Sequence, residues 1–219
     1  MHRLILHLFL LLVYRGTAQT HLNFEPVMGA ERIRLNERIE DEGNWIEITA
    51  LRFYISDMKV YSGRTSWQYP VRYLLIDLEE PSSLILKDLP QKIDSLTFTI
   101  GIDSTTNVSG ILDGALDPIN GMYWAWNSGY INFKLEGKTS ISTNTNKGFE
   151  FHLGGYLPPF QTVQNKTIIP NPNSDLIIQI DLRPFLSSID WSREPNIMIP
   201  GEQAKLLSEV LPQMFKLKL

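Results

Sequence analysis

The stretch "WIEITALRFYISDMKVYS" (residues 45–62) decides the fold class, because its β-branched and aromatic residues recur at every second position. In an extended chain, side chains two positions apart share one face. Phe53 and Ile55 fall on one face, followed in the same series by Asp57. Tyr54 falls on the other face with its even-numbered neighbours. This period of two predicts one long β-strand over nearly all of the stretch.

Shorter runs of the same character lie on either side of this strand. Clusters of Gly, Pro, Asn, Asp and Ser separate them, and such residues bend the backbone or bond to it locally. Seven or so strands with few long helical patterns predict a mainly β fold, an antiparallel β-sandwich. The other predicted strands are His21–Val27, Val71–Leu78, Leu96–Ile100, Tyr130–Leu135, Phe149–Leu153 and Leu176–Leu182.

Helix is predicted only near the C-terminus. The stretch "GEQAKLLSEVLPQMF" (residues 201–215) spaces its leucines and Val210 along one helical face. Pro212 should end or kink that helix, since proline lacks a backbone N–H and its ring clashes with the preceding turn. A single helical turn is expected over residues 184–189.

The N-terminus has the layout of a secretory signal. Residues 1–18 combine Arg3, an apolar run over residues 4–13, and small residues that end at Ala18. The run is too short for a membrane span of about 20 residues. We therefore expect a signal peptide over residues 1–18 and a single domain over residues 19–219 that does not span a membrane once the signal is cleaved. An uncleaved N-terminal anchor is the alternative.

Composition excludes several classes of function. The 219-residue chain has no cysteine, which rules out disulfides, thiol catalysis and thiolate metal sites. Loss of Arg3 and Arg15 with the signal leaves 18 basic against 24 acidic residues, a net charge of −6. A nucleic-acid partner is not expected for such a surface, because phosphates attract basic proteins.

Common catalytic and metal motifs are absent from the sequence. It contains neither a Gly-x-Ser-x-Gly elbow nor a His-Glu-x-x-His pair. The stretch "GIDSTTNVSGILDGALDP" (residues 101–118) has acids at Asp103, Asp113 and Asp117, but their spacing does not fit an EF-hand calcium loop. A role as turn residues is the simpler interpretation of these acids.

The segment "GMYWAWNSGYINFKLEG" (residues 121–137) concentrates oxidisable side chains. Trp124 and Trp126 lie two positions apart, so on a strand both indoles would share one face. Downstream, "FHLGGY" places His152 next to a glycine pair. Core packing explains such residues in many proteins. Imidazole and thioether groups are also copper ligands, and Met122 is a thioether within the segment.

Taken together, these stretches resemble the MbnP-like family, bacterial periplasmic proteins related to the copper-binding partner of methanobactin operons. The resemblance extends from about His21 to Leu182. The ordered Asp-Pro, Gly-Met, paired Trp and Gly-Tyr of the third stretch are its most specific signal. Four stretches carry it: "LRFYISDMKV" (51–60), "FTIGIDSTTNVSG" (98–110), "LDPINGMYWAWNSGYINFKLEG" (116–137) and "FHLGG" (151–155).

The resemblance implies a secreted, copper-binding β domain in the periplasm of a Gram-negative bacterium, here in a cysteine-free branch. It also implies that the chain is no enzyme. In some relatives, a dihaem cytochrome c peroxidase-like partner oxidises a tryptophan to kynurenine. The paired Trp and His152 match the family by position, and His21 matches as a histidine near the mature N-terminus. We therefore predict that His152 and His21 bind one copper, with Met122 as a further donor and Trp124 or Trp126 alongside.

A binding module for extracellular polymers is the competing class. Tryptophan and tyrosine present flat apolar faces with polar edges, which stack on sugar rings or on partner proteins. Trp45, Trp67 and Trp191 are the additional aromatic residues for such a carbohydrate- or protein-binding surface.

Overall fold

The computed structural model describes residues 20–41, 43–127, 129–171, 175–193 and 195–218. The predicted signal peptide over residues 1–18 lies outside these ranges. The strands are β1 (Thr20–Met28), β2 (Glu31–Arg32), β3 (Arg38–Asp41), β4 (Asn44–Ser62), β5 (Thr65–Gln68), β6 (Tyr73–Asp77), β7 (Ile85–Leu89), β8 (Ser95–Ile100), β9 (Tyr123–Trp124), β10 (Gly129–Thr139), β11 (Gly148–Gly154), β12 (Gln164–Ile168), β13 (Leu176–Asp181), β14 (Asn196–Ile197) and β15 (Phe215–Leu217).

Helices are short. The α-helices are α1 (Ser104–Val108), α2 (Arg183–Leu186), α3 (Glu202–Ser208) and α4 (Leu211–Met214), and 3₁₀ turns cover Pro81–Leu84, Gly114–Leu116 and Pro118–Asn120. The turn predicted over residues 184–189 is confirmed as α2. The C-terminal helix breaks after Ser208, and Pro212 is the second residue of α4, where a missing N–H costs no helical bond. The chain then continues as β15, which the sequence pattern did not predict.

The described strands form two sheets. The large sheet has the order β12-β8-β4-β10-β11-β14, with β3, β5 and β6 on the long strand β4 and β9 on β10. The small sheet has the order β15-β13-β1-β2, with β7 also on β1. The mainly β sandwich architecture is therefore confirmed.

The sheets are mixed, whereas the sequence predicted antiparallel pairing throughout. Strand β1 runs parallel to β13, and β11 runs parallel to β14. Parallel neighbours require long crossover connections. The local turn signals that separate consecutive strands carry no information about such distant pairings.

Strand β4 keeps the predicted alternation over residues 51–56, between two breaks. Before it, Ile48 is buried in the same cluster as Leu51, because the register with β10 shifts at Thr49. Phe53 and Ile55 are buried between the sheets, but Met58 and then Val60 continue the buried series. The register shifts between Ser56 and Lys59, and the intervening Asp57 has a left-handed backbone (φ 50). This β-bulge inserts one residue and moves Asp57 out of the apolar series, so the predicted placement of Asp57 with Phe53 and Ile55 is wrong.

Two hydrophobic clusters lie on opposite faces of the large sheet. The inner cluster fills the space between the sheets and contains Phe24 from β1 together with Phe53, Phe133 and Phe151. The outer cluster lies on the other face of the large sheet, as the alternation of Tyr54 with its buried neighbours requires. Its buried members are Tyr54, Ile102, Leu116, Met122, Trp124, Tyr130 and Ile131.

Candidate functional site

The aromatic segment covers the outer face of the large sheet. Asp117 begins it by accepting a hydrogen bond from the backbone N–H of Ile119 at 2.9 Å, which caps a 3₁₀ turn. Gly121 follows with φ +68, a conformation that favours glycine. Strand β9 then pairs with the start of β10. The segment is thus a hairpin folded back over its own sheet.

A row of charged side chains beneath the hairpin anchors it. Arg52 on β4 and Lys134 on β10 are cross-strand neighbours. The Arg52 guanidinium donates to the Asn120 carbonyl at 3.3 Å, and the Lys134 ammonium donates to the Gly121 carbonyl at 3.4 Å. On its other side, Arg52 forms an ion pair with Asp77 at 2.7 Å. Two cations therefore hold backbone carbonyls of the hairpin against the sheet.

His152 lies on the same outer face, directly across from Lys134 in the register of β10 and β11. The two neighbours of His152 on β11, Phe151 and Leu153, belong to the inner cluster. The imidazole therefore points to the outer face of the sheet. His152 is only 7% exposed. Its Nε2 lies 2.7 Å from Glu136 Oε1, and the Lys134 ammonium lies 3.1 Å from the same oxygen.

The Glu136 carboxylate is held in its charged form. The hydrogen bond with His152 and the nearby Lys134 charge outweigh burial and lower the pKa of Glu136 to about 2. An ionised carboxylate only accepts hydrogen bonds, so Nε2 of His152 is the protonated ring nitrogen. None of the described residues hydrogen-bonds Nδ1 of His152. In the neutral imidazole, Nδ1 is therefore the nitrogen whose lone pair faces no protein donor in this part of the chain.

Trp124 lies against the same strand, two residues along from His152. A Cβ placed on Gly154 would lie 2.6 Å from Cζ3 of the Trp124 indole, so only glycine lets the ring approach β11 this closely. Gly154 and His152 are two positions apart and share the outer face. The "HLGG" motif thus combines one imidazole with a bare stretch of backbone on which an indole lies.

The two tryptophans differ in exposure although their rings touch. Trp124 is 6% exposed and belongs to the outer cluster, whereas Trp126 is 64% exposed. Trp126 lies in the turn after β9, not on a strand, so the predicted strand alternation does not place it. The ring centroids are 5.7 Å apart with a 46° angle between planes. The exposed Trp126 ring therefore packs directly on the buried Trp124 ring, which lies on the outer face of the sheet.

Met122 has a packing position. It is fully buried in the outer cluster, and its carbonyl accepts a hydrogen bond from the backbone N–H of Ile131 at 2.9 Å. The same cluster contains Tyr54 and Tyr130, whose rings meet edge to face at 6.1 Å. Core filling therefore accounts for Met122 without a ligand.

The structure does not bring His21 to His152. On β1, Leu22 and Phe24 point into the inner cluster, and the exposed His21 points to the opposite side of the small sheet. The two imidazoles thus lie on opposite outer faces of two sheets, which pack about 10 Å apart. Metal–nitrogen bonds of about 2 Å cannot join them.

Two of the three acids in residues 101–118, Asp103 and Asp117, cap short helical turns with their side chains, and Asp113 makes no side-chain cap. Asp103 accepts hydrogen bonds from the backbone N–H of Thr106 at 3.0 Å and from the Tyr73 hydroxyl at 2.7 Å, and it forms an ion pair with Arg72 at 3.3 Å. Within the described ranges, no three His, Asp or Glu side chains are grouped as they would be to hold a metal ion. The geometry therefore supports a role of this stretch in local turns and caps.

The remaining tryptophans, Trp45, Trp67 and Trp191, lie in two separate regions of the structure. Trp45 and Trp191 line one cavity of about 250 Å³, whose rim includes the ion pair of Arg183 with Asp41 at 2.9 Å. Trp67 packs edge to face with Tyr69 elsewhere on the large sheet, with ring centroids 5.7 Å apart.

Sequence reasoning missed Glu136 and Lys134, the charged neighbours of His152. Their only sequence signal is alternation with the buried Phe133 and Leu135, which places them on the outer face of β10. The contact with His152 depends on the register between β10 and β11, which no local pattern specifies.

Comparisons with known proteins agree with this architecture. A family model described as MbnP matches residues 17–199. The structure described as MbnP from Methylosinus trichosporium has a similar fold, with a TM-score of 0.52 and 13% sequence identity, over 80% of this chain and 79% of that one. No curated protein matches the chain. Among the described residues, no helix is long and apolar enough to cross a membrane.

Proposed function

The chain belongs to the MbnP family, a methanobactin-associated and copper-related group of periplasmic or secreted proteins, and on that premise we propose that it binds copper through His152. The observation that carries this proposal is the imidazole on the outer face of β11. Its Nε2 is held by Glu136, its Nδ1 has no partner among the described side chains, and Trp124 lies on the same strand face.

The donor set suits a soft ion. Metal-bound histidines almost always donate their other ring N–H to a carboxylate or carbonyl, which orients the ring and raises its basicity. Glu136 occupies that position. With no cysteine and no cluster of acids in the described part of the chain, imidazole and thioether remain, and these favour copper over calcium or magnesium.

The paired tryptophans would be the redox element of the site. We propose that a dihaem peroxidase-like partner withdraws electrons from the exposed Trp126 and converts it to kynurenine. Two molecules of hydrogen peroxide, the oxidant of such a partner, would accept the four electrons and four protons and become water. The indole C2–C3 bond breaks as C2 and C3 each gain one oxygen atom from water, and hydrolysis of the resulting N-formylkynurenine releases formate. Trp126 is accessible to water and to a partner protein, whereas Trp124 is not. In this role the chain is the substrate of the oxidation and not its catalyst.

Copper binding is tested with a matched pair of histidine variants. In a Cu(I) competition titration against a chromophoric chelator, His152→Gln should lose stoichiometric binding, because its amide can still donate to Glu136 but is a poor copper ligand. His21→Gln should bind as the parent does, since it lies on the opposite face. Copper retained by His152→Gln and lost by His21→Gln would refute the assignment, provided both variants show the parent's circular dichroism.

Tryptophan oxidation is tested by intact mass and peptide mapping of the exported protein. We expect the mass of a kynurenine in the peptide that carries Trp126, and its absence from Trp126→Phe. Modification confined to Trp124 would show that solvent exposure of the side chain does not determine which tryptophan is oxidised. An unmodified protein from cells that also make the haem partner would count against the redox role.

Saccharide binding is the second candidate, because the structure brings Trp45 and Trp191 to one cavity. Its apolar walls and charged rim offer a stacking surface and hydrogen-bond partners for a sugar ring. Trp45→Ala should abolish retardation on polysaccharide gels, and Trp67→Ala, which changes a tryptophan outside the cavity, should not. Equal mobility of both variants with the parent would dismiss this function.

Export is also proposed, with cleavage after Ala18. N-terminal sequencing of the protein from a periplasmic extract should begin at Gln19. A chain that still begins at Met1 would show that the signal is not cleaved.

A further inference from the structure

The chain that leaves β14 runs alongside β11. Strand β14 pairs in parallel with β11, with Ile197 opposite Phe151. The two segments are still adjacent four residues later on β11 and three residues later on the other chain segment, because a Cβ placed on Gly155 would lie 3.4 Å from Cβ of Pro200. Residue 198 lies between these two points. Met198 is therefore the neighbour of His152 across this edge of the sheet.

Met198 also points to the same face as His152. Ile197 is 8% exposed and belongs to the inner cluster. Since adjacent residues of an extended chain point to opposite faces, the Met198 side chain points outward. The same argument, applied to Phe151 and His152, places the imidazole outward. Met198, the first residue after β14, and His152 on β11 thus face the same side of the sheet on adjacent segments of the chain.

Met198 stands apart from the other methionines that the structure describes. It is 41% exposed. The remaining four are at most 3% exposed and fill the hydrophobic clusters: Met28, Met58, Met122 and Met214. A ligand must reach its metal, and a buried methionine can do so only by opening its cluster. Met198 needs no such opening.

We infer that Met198 supplies a thioether ligand to the copper that His152 binds. This inference rests on the proposed function and adds the second donor to it. Thioether is a soft ligand that favours Cu(I), and imidazole binds copper in both oxidation states. The thioether donor is thus Met198 at the edge of the large sheet, in place of the Met122 predicted from the sequence.

X-ray absorption of the Cu(I)-loaded full chain tests the assignment. The sequence has no cysteine, so any copper–sulfur scattering must come from methionine. We expect a sulfur shell in the parent and in Met122→Leu, and its loss in Met198→Leu. Cu(I) affinity should fall about tenfold or more in Met198→Leu, while Cu(II) affinity stays unchanged. Leucine is close to methionine in volume, so both variants should fold.

Each other outcome overturns the inference in a recognisable way. Copper bound by His152 with only nitrogen or oxygen scattering removes Met198 and leaves the proposed function intact. If the sulfur shell is lost in Met122→Leu and kept in Met198→Leu, the thioether ligand is Met122 of the outer cluster and not Met198. A parent chain that binds no copper overturns the inference together with the proposed function.

Discussion

The two faces of the large sheet have opposite characters although the same three strands form them. On the inner face, β4, β10 and β11 present Phe53, Phe133 and Phe151 to one continuous apolar cluster. On the outer face, the same strands present Arg52, Lys134 and His152 in register beneath a hairpin. The inner face contributes apolar burial, whereas the outer face combines a smaller apolar cluster with directed polar contacts.

The inner face of the sheet mainly determines the stability of the fold, and the outer face carries the side chains proposed to bind a ligand. Apolar packing is nondirectional and tolerates exchange of residues at similar volume. A buried imidazole next to a carboxylate depends on each partner, because an unpaired polar group in that position loses its hydrogen bonds with water. Substitutions on the inner face should therefore affect folding above all, and those on the outer face should affect ligands at a smaller cost in stability.

The largest expected effect is on the inner face. Phe133 is fully buried, and its ring lies 5.2 Å from that of Phe185. Phe133→Ala should lower the free energy of unfolding by about 3–5 kcal/mol, since it removes buried apolar surface and leaves a cavity. Urea denaturation followed by circular dichroism measures the change. Ile119→Ala, at a position 87% exposed, is the control and should lie within about 0.5 kcal/mol of the parent. Equal losses of unfolding free energy in Phe133→Ala and Ile119→Ala would show that the inner face does not dominate stability.

A smaller effect is expected where the hairpin meets the sheet. Gly154→Ala places a methyl group 2.6 Å from both the Trp124 ring and the Tyr130 carbonyl, so the indole must move. We expect a loss of about 1–3 kcal/mol and altered tryptophan emission. Gly201→Ala, where the added Cβ meets open space, is the control. Unchanged emission in Gly154→Ala would show that Trp124 is not seated on β11.

The pH dependence of the outer face should follow Asp103. Burial raises the pKa of Asp103, but hydrogen bonds from Tyr73 and Thr106 and the Arg72 charge outweigh it, so the pKa is lowered. A carboxyl with a lowered folded-state pKa stabilises the fold above its unfolded-state pKa and loses that contribution as pH falls through the folded-state pKa. Asp103→Asn should cost about 1 kcal/mol at neutral pH and less in acid. Urea midpoints at both pH values give the difference, and a gap that widens in acid would have the wrong sign.

The smallest effect on stability is expected at the surface tryptophan. Trp126→Phe should change the free energy of unfolding by less than about 0.5 kcal/mol, because the side chain is 64% exposed. Trp124→Phe should cost more, since its indole is buried in the outer cluster. Thermal and urea unfolding of the two variants compare them directly. A larger loss at Trp126 would mean that the exposed ring holds the hairpin in place.

Seven of the fifteen described strands could be predicted, because period-two alternation is a local property. The long strand β4 and the strands that contain Phe133 and Phe151 lie where the pattern placed them. The alternation of β4 breaks twice, at Thr49 and at Asp57, where bulges shift it by one residue each. Aspartate tolerates a left-handed backbone better than most residues, but the sequence around Asp57 does not show that a bulge lies there.

The candidate site could be predicted in part. The resemblance pointed to His152 and Trp124, which the structure places on the same face of β11. It also paired His152 with His21, which lies on the far side of the molecule. Being near the mature N-terminus in sequence does not determine the face on which a strand presents its side chains.

Local alternation and turn chemistry were enough to specify a β-rich chain with two-faced strands, because side-chain direction along a strand depends only on neighbouring residues. Pairing and register belong to the tertiary structure, since they join segments far apart in the chain and are selected by the burial of whole faces. That is why Glu136 meets His152, and why the segment that carries Met198 follows a strand paired in parallel with β11. The sequence can identify candidate residues of a site, but strand pairing in the tertiary structure determines which side chains contact one another.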